Sequence, residues 1–484
     1  MLNLSPWLDT LNRHRGVHRL SLHEKPSTDI AIVGGGIAGV ATAAAVLEKT
    51  DKRVLLIEAD LVAHAATGHN AGQIVSYFER SFVDLVAEFG PTLTTRGVDA
   101  IEQSWHLLHK LARFAGDEKS IRSCTGYLGI ADPEKLRIFF ESIYARHAAG
   151  LSTERVLLSE DAHLHDLLPR RMRGEVSFIE KEKLLALLGT TDERYIAAGV
   201  SQKGCTNSAV FTEKLVTTLL AHYPKRFRLI ERTPVQHVIL SKRSARLVTN
   251  EHTISAERVI LCTNGFERFT IQNEGGAAID PKFHDSLHGV IGYLSAQTYA
   301  QPSPVAAVSY YPFPHSPDDA YFYVTKRHWG AAPFGKTLIC VGGADEPLPE
   351  RMHYNPKAPF PKEKLAELRG FLTATFPTEP ALQHYQWHGL MGYTQSGVRL
   401  IGAEPCNPAL LYNLGCNGIG ILPSIFGAFR IAALLSGKRL RPSIFDPRDQ
   451  RCELPVRAKR PTLPFVPKAS NVFIKPPSPN QSTR

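Results

Sequence analysis

The stretch from Asp29 to Glu58, DIAIVGGGIAGVATAAAVLEKTDKRVLLIE, constrains this chain more than any other. Ile30, Ala31, Ile32 and Val33 form the short apolar run that a parallel strand buried on both faces requires. Gly34, Gly36 and Gly39 follow in GxGxxG spacing. The first glycine of such a set permits a sharp turn, the second lets backbone approach a pyrophosphate, and the third lets a helix lie close to its sheet. The Ala-rich segment opening at Ile37 and Ala38 predicts that helix, whose amino end offers N–H groups and a positive dipole to phosphate. Val54 to Ile57 predict a second strand. Glu58, followed by Ala59, stands where an acid accepts hydrogen bonds from both ribose hydroxyls. Strand, turn, helix, strand and acid at these offsets point to an adenine dinucleotide.

A second turn with the same physics lies near the other end. Leu410 to Leu414 predict a strand, Gly415-Cys416-Asn417-Gly418-Ile419-Gly420 a glycine turn, and a helix runs from about Pro423 to Leu435. A nicotinamide-binding domain has no need of such a turn so far downstream. A flavoprotein does, because N–H groups and a helix dipole beside the flavin N1–C2=O edge stabilise the negative charge of the reduced ring.

At 484 residues the chain is long enough for two or three domains, and 43% hydrophobic with 21% charged content fits packed cores. The net charge of +10 raises the question of nucleic acid or an anionic membrane. Residues 451–484 carry seven basic side chains against Glu453 alone, so a solvated tail holds most of the excess and nucleic acid is not expected. Seven scattered cysteines without CxxC spacing suit the reduced thiols of a cytoplasmic protein and offer no metal site. No apolar run reaches the roughly 20 residues of a membrane span. Ile419 to Leu435 is interrupted by Pro423 and Arg430, and residues 1–27 lack a signal peptide's apolar core.

Apolar spacing predicts helices over Ser81 to Gly116, broken at Gly90-Pro91, and over Pro133 to Ala149, Phe211 to His222 and Pro361 to Phe376. Strands are predicted over Thr125–Ile130, Phe227–Ile230, Val235–Leu240, Ala245–Thr249, Val259–Cys262, Leu287–Gln297, Tyr321–Thr325 and Leu338–Val341. The segment 151–200 reads as mixed and mostly helical, and residues from Pro442 onward as extended.

With these motifs in place, the chain resembles the FAD-dependent glycine/D-amino-acid oxidase superfamily from about Asp29 to Lys438. The resemblance implies that Gly34, Gly36, Gly39 and Glu58 bind the ADP half of FAD. It implies that Thr67, His69, Asn70, Ala71, Gly72 and Gln73 belong to a small-residue loop over the flavin. Val235 matches a strand whose backbone meets adenine, and Thr263, Asn264 and Gly265 end a strand near the pyrophosphate. Trp387-x-Gly389, Gly392-x-Thr394 and Ile401-Gly402 match the W-x-G…T…I-G element, and Gly415, Asn417, Gly418, Ile419 and Gly420 the flavin-ring turn. The implied fold is α/β, a Rossmann-like FAD-binding domain of discontinuous segments plus an α+β substrate domain with a mixed or antiparallel sheet. Its expected bounds are 28–80, 201–284 and 385–440 for the FAD domain and 81–200 and 285–384 for the substrate domain. An amino-terminal extension (1–27) and a basic tail (441–484) flank them.

The implied reaction is oxidation of a C–N bond in a small amine or amino acid, by hydride transfer to flavin N5 and hydrolysis of the imine. Oxygen, or a quinone or electron carrier, would be the acceptor. Tyr321, Tyr323, His388, Met391 and Tyr393 are the candidates for the substrate face. Glycine-oxidase-like members place a carboxylate-clamping arginine where Met391 stands. Either Lys326 or Arg327 replaces it, or the substrate is an amine without an α-carboxylate. Ser396 and Arg399 replace the usual Asp and Pro of T-x-D-x-x-P. His69 resembles the histidine that carries covalent flavin in dimethylglycine-dehydrogenase-like members, with a polar contact as the other role. Two further readings stay open: a flavoenzyme acting on a tRNA-bound amine or a flavin monooxygenase, and a non-catalytic dinucleotide-binding protein.

Overall fold

The computed structural model describes residues 3–11, 15–19, 26–160, 176–266, 268–274, 276–300, 307–312, 321–330, 335–349, 352–375 and 381–448. The chain opens with α1 (Pro6–Asp9), β1 (Ser27–Val33), α2 (Ile37–Lys49), β2 (Val54–Ile57) and β3 (Gln73–Ile74). Helices α3 (Phe82–Phe89), α4 (Pro91–Glu102) and α5 (Ser104–Phe114) precede β4 (Arg122–Ile130), α6 (Pro133–Ala148), β5 (Arg155–Ser159) and β6 (Val176–Ile179). Next come α7 (Lys181–Leu188), β7 (Ala197–Cys205), α8 (Ser208–His222), β8 (Phe227–Ile230), β9 (Val235–Leu240), β10 (Ala245–Thr249), β11 (Thr253–Leu261) and β12 (Thr270–Asn273). Then follow α9 (Asp280–Ser286), β13 (Leu287–Tyr299), β14 (Ala307–Pro312), β15 (Tyr321–Trp329), β16 (Lys336–Gly342) and β17 (Glu346–Pro347). The last are α10 (Lys362–Thr375), β18 (Gln383–Thr394), β19 (Leu400–Ala403), β20 (Leu410–Leu414) and α11 (Ile421–Leu435).

Two sheets organise these elements. In the first, five strands run parallel in the order β8-β2-β1-β11-β20. Val33 pairs with both Ile57 and Leu261, and Leu261 with Tyr412, so the carboxyl ends of β1, β2, β11 and β20 emerge along one edge. Adjacent strands lie about 4.8 Å apart, which brings the two glycine turns, one after β1 and one after β20, within roughly two strand spacings. β9 and β10 continue antiparallel from β11.

Helix α2 seals one face of this sheet. Ile37 through Leu47 are all buried, and the run of alanines lets neighbouring elements pack closely on every side. Asn413, at the end of β20, donates to Thr42 Oγ1 (3.0 Å) on α2 and to the Ser424 carbonyl (3.1 Å) on α11. The helices behind the two turns are therefore fixed to each other.

The second sheet runs β17-β13-β16-β15-β14-β4-β7-β5-β6, with β18 pairing β13 and β3 pairing β7. It is mostly antiparallel, with β14–β4 and β5–β6 parallel. This matches the expected α/β architecture with a mixed second sheet.

Several boundaries differ from expectation. β18 pairs with β13 from Gln383 to Thr394, so residues 385–394 join the second sheet rather than the nucleotide-binding one. Residues 201–205 of β7 and the short β3 do the same. Segment 151–200 is not mostly helical: α7 stands among β5, β6 and the start of β7, while residues 161–175 lie outside the described set. The β7 sequence AAGVSQKGC has little strand preference of its own. It is extended because β4 and β5 pair with it on both sides.

Neither end is wholly peripheral. Trp7 is 0% exposed, its Nε1–H donates to the Asn70 carbonyl (2.5 Å), and Leu4 bridges to Gln386 on β18. Burying an indole stabilises well only when its N–H finds a partner, and here it does. Beyond Pro442, Phe445 is fully buried against Phe78 and Phe426, and its carbonyl accepts the Ile401 N–H (2.8 Å). Residues 449–484, the rest of the basic tail, lie outside the described set. No helix among the described residues is long and apolar enough to cross a membrane.

Candidate active site

The first turn is shaped by contacts that exclude side chains. Gly34 has φ +107°, and a Cβ there would lie 2.6 Å from the Cys262 carbonyl oxygen on the neighbouring strand. A Cβ on Gly39 would lie 1.8 Å from the Gly34 oxygen, so helix and turn meet backbone to backbone. Gly36 caps α2 in an extended conformation without a side-chain bond, and Thr67 Oγ1 accepts the Ile37 N–H (2.9 Å). The hydroxyl of Thr67 thus sits at the helix end where a phosphate oxygen is favoured. Ala38 is buried in the same first turn, and Ala59 is exposed after Glu58.

Glu58 closes β2 with Oε2 accepting the Gly35 N–H (2.6 Å) and Oε1 the Asp60 N–H (2.9 Å). Burial raises its pKa against those two bonds. The Thr233 N–H donates to the Glu58 carbonyl (2.9 Å), which brings the segment leading to Val235 alongside the acid. Just past β11 the Thr263 hydroxyl is sealed from solvent with no hydrogen-bond partner among the described residues. An acid for ribose, a glycine cradle and an unanswered hydroxyl at one strand edge fit the ADP half of FAD.

The second turn is tied to the first through Asn264. Its Oδ1 accepts the Cys416 N–H (2.9 Å), and Asn264 itself is left-handed, with φ +58°. A Cβ on Gly392 would lie 2.5 Å from the Gly265 nitrogen, so β18 touches the end of β11. Asn417 joins both: its N–H donates to the Gly392 carbonyl (2.9 Å) and its Oδ1 accepts the Thr394 N–H (2.8 Å). Gly415 and Gly418 have φ of +83° and +76°, and Gly420 begins α11 without a side-chain cap. The first turn of α11 therefore presents bare N–H groups and a positive dipole end, as a flavin ring edge requires. Arg399, where the resemblance expects proline, is buried under this turn. It donates to Asn413 Oδ1 (2.7 Å), the Asn413 carbonyl (2.7 Å) and the Gly415 carbonyl (3.5 Å), and burial pushes its pKa down to about 10.

Beside this turn the second sheet builds a chamber. Tyr321 and Tyr323 share a face of β15, and Tyr393 reaches the turn from β18: a Cβ on Gly418 would lie 3.0 Å from its Oη. The same Cβ would lie 2.7 Å from Glu79 Oε1, which accepts the Tyr321 hydroxyl (2.9 Å). Tyr310 packs edge-on against Tyr77 and Tyr321, and its hydroxyl donates to Gln73 Oε1 (2.7 Å). Lys203 Nζ lies 4.6 Å from the Tyr77 ring centre and 4.1 Å from that of Tyr310. Burial pushes Glu79 up to about 7 and Lys203 down to about 8. Asp345, beyond Tyr323, is also pushed up to about 7 by burial, with Glu79 adding to it. Among the described residues, Gln73 Nε2 and Asp345 Oδ1 are sealed without hydrogen-bond partners.

Three candidates, Tyr321, Tyr323 and Tyr393, meet here, and Met391 lines the same side of β18 as Tyr393. His388 does not. It alternates to the other face, where the Tyr354 hydroxyl and the Ala358 carbonyl meet its ring nitrogens (2.9 and 3.0 Å). Lys326 is exposed, and Arg327 is buried near the rings of Trp7 and Trp329, so neither stands at Met391. Tyr77, Glu79, Lys203, Tyr310 and Asp345 were not anticipated. Only Tyr77-Phe78-Glu79, directly after the small-residue loop, gave a local hint.

That loop is held from above. Asn70 Nδ2 donates to the Thr67 carbonyl (2.9 Å), the Gly72 N–H donates to Asn70 Oδ1 (2.7 Å), and Ala71 accepts from Thr325 Oγ1 (2.9 Å). His69 Nδ1 lies 3.0 Å from the Ala65 carbonyl and Nε2 3.4 Å from that of Asn3. Burial lowers its pKa.

Residues 29–434 match the sequence model of the DAO family, FAD dependent oxidoreductase. A curated relative, the Rieske 2Fe–2S iron–sulfur protein YhfW of Bacillus subtilis (strain 168), is 34% identical over 70 residues, a match spanning 14% of each protein. Among solved structures, glycine oxidase from Geobacillus kaustophilus has a TM-score of 0.63 at 16% identity, over 88% of this chain and 100% of that one. L-proline dehydrogenase from P. horikoshii has a TM-score of 0.60 at 16% identity, over 87% and 97%. NikD, an amino acid oxidase essential for nikkomycin biosynthesis, has a TM-score of 0.60 at 15% identity, over 88% and 98%. These structures share the fold. With a family match that runs through both glycine turns and every strand of the chamber, the chain belongs to the DAO family of FAD-dependent oxidoreductases.

Proposed function

We propose that the protein oxidises a C–N bond of a small amine or amino acid in the tyrosine-lined chamber. The observation that carries this is Glu79, whose carboxylate sits at the Gly418 turn, is hydrogen-bonded by Tyr321, and has a pKa raised to about 7 by burial. FAD, held by the turns at Gly34–Gly39 and Gly415–Gly420, would supply the two-electron acceptor for the carbon beside nitrogen, with oxygen or another carrier as the onward acceptor. An ammonium must lose a proton before its neighbouring C–H bond can give up hydride. Glu79 is placed to take that proton, and a carboxyl near pH 7 can pass it to water. Tyr321 orients Glu79, and Tyr323 and Tyr393 hold the substrate's carbon chain against the turn. Water then hydrolyses the resulting iminium to a carbonyl and an amine. Positioning matters more here than strong acids or bases, since it alone can supply several kcal/mol of such a barrier.

The test is anaerobic mixing of the holoenzyme with a panel of primary, secondary and tertiary amines and amino acids. Loss of the blue absorption band with at least one of them is expected, and Glu79→Gln should slow it at least tenfold. If dithionite bleaches the flavin while no panel member does, the proposal fails.

A further inference from the structure

Where related oxidases place a guanidinium for an α-carboxylate, this chain brings up a carboxylate. A Cβ on Gly292 would lie 3.2 Å from Met391 Cε and 3.3 Å from Asp345 Oδ1, so the thioether and the acid flank one point. Asp345 Oδ1 is sealed from solvent with no hydrogen-bond partner among the described residues, while the Tyr293 backbone N–H supports the carboxyl group. A buried acceptor without a donor is costly, and a cationic ligand would answer it. Burial raises the pKa of Tyr323 and Tyr393, and both Asp345 and Glu79 are close enough to add to it. Rings so placed favour a cation or the methylenes next to it.

Two ammonium groups stand nearby, and each has other partners. Lys203 lies over the Tyr77 and Tyr310 rings on the Glu79 side. Lys364 lies 3.9 Å from Glu346 and 5.9 Å from the Tyr293 ring centre, and its charge reaches Asp345 without a hydrogen bond to it among the described residues. An α-carboxylate at the Met391 position would meet Asp345 with like charge in a buried setting, where repulsion is strong.

Resting on C–N oxidation as the reaction, we propose that the substrate is an amine without a carboxylate beside the oxidised bond, carrying a second protonated nitrogen that pairs with Asp345. One nitrogen is oxidised near Glu79, and the other anchors the chain.

The test uses holoenzyme and anaerobic bleaching with diaminobutane, diaminopentane, butylamine, glycine, D-alanine, sarcosine and L-proline. The diamines are expected to bleach the flavin at the lowest concentrations. Asp345→Asn should raise the half-saturating diamine concentration about 10- to 100-fold, the range for a lost charged hydrogen bond, while butylamine moves less than about threefold. Met391→Arg, which sets a guanidinium beside Asp345, should impair diamines in the same way if Asp345→Asn fails to retain flavin. The inference is overturned if the amino acids bleach at lower concentrations than the diamines, or if Asp345→Asn shifts diamine and butylamine equally. In either case C–N oxidation stands. Bleaching by no member of the panel would instead overturn the reaction itself, and the inference with it.

Discussion

Gly418→Ala separates the chamber's chemistry from the backbone of its turn. Gly418 has φ +76°, and a left-handed conformation costs an L-residue about 1–2 kcal/mol. The new methyl would lie 2.7 Å from Glu79 Oε1 and 3.0 Å from Tyr393 Oη, closer than carbon and oxygen tolerate. Both atoms end flexible side chains, so they give way rather than block folding. Moving Glu79 loses its 2.9 Å bond from Tyr321, worth about 0.5–1.5 kcal/mol. The total is about 1.5–3.5 kcal/mol. Gly116→Ala is the control: φ is +64°, but nothing lies within 4 Å of its Cβ, so only the backbone cost applies. Thermal unfolding, the flavin absorption spectrum and anaerobic reduction by a bleaching amine are measured on both variants. Both should lose stability by a similar backbone amount, but only Gly418→Ala should shift the flavin band and slow reduction. If the two variants are indistinguishable in spectrum and reduction rate, Glu79 and Tyr393 do not face the flavin ring, and the chamber is misassigned.

Trp7→Ala should cost about 3–5 kcal/mol, the range for deleting a buried indole, and should speed release of FAD from diluted holoenzyme, because Trp7 packs on Gly72 in the loop expected over the flavin. A release rate equal to wild type would show that the amino-terminal segment does not secure the cofactor. Arg399→Leu removes a buried cation whose described acceptors are all neutral, so the reduction potential of bound FAD should become more negative by tens of millivolts, about 30 mV being 1.4 kcal/mol for two electrons. An unchanged potential would remove Arg399 from the electrostatics of the ring. Glu79 and Asp345 have folded pKa values of about 7, above their ordinary values of 4.5 and 3.8, so their contribution to stability is full below those ordinary values and lost as pH rises through about 7. Lys203, lowered from 10.5 to about 8, acts oppositely and only above that pH. The urea midpoint of the cofactor-free protein should therefore fall less from about pH 5 to about pH 7.5 in Glu79→Gln/Asp345→Asn than in wild type, and an equal fall would contradict the burial of these acids.

The two glycine turns were legible because each is a local pattern: an apolar run, glycines with no room for a Cβ, and a helix start within about ten residues. Strands such as Phe227–Ile230 and Leu410–Leu414 were legible for the same reason, their apolar runs bounded by polar turns. The chamber was not. Glu79 follows β3, Lys203 lies in β7, Tyr310 in β14 and Asp345 after β16, and only the pairing order of the second sheet gathers them around its tyrosines. β18 looked like the nucleotide sheet's neighbour because it precedes β19 and β20 in sequence, yet its register is set by β13, nearly a hundred residues earlier. The missing arginine at Met391 was visible in the sequence, but Asp345 facing the same point was not, since alternation along a strand fixes a side and never a partner. His388 shows the same limit: residue type suggested the substrate face, and its strand position put it on the other side.

The turns at Gly34–Gly39 and Gly415–Gly420 are expected to hold one FAD, the first its diphosphate and the second its ring. A crystal structure of the FAD-loaded enzyme is the decisive test. One FAD per chain is expected, its diphosphate over the amino end of α2 and its ring edge against the first turn of α11. A ring lying away from residues 415–420, with the ADP half still at Gly34–Gly39, would contradict it.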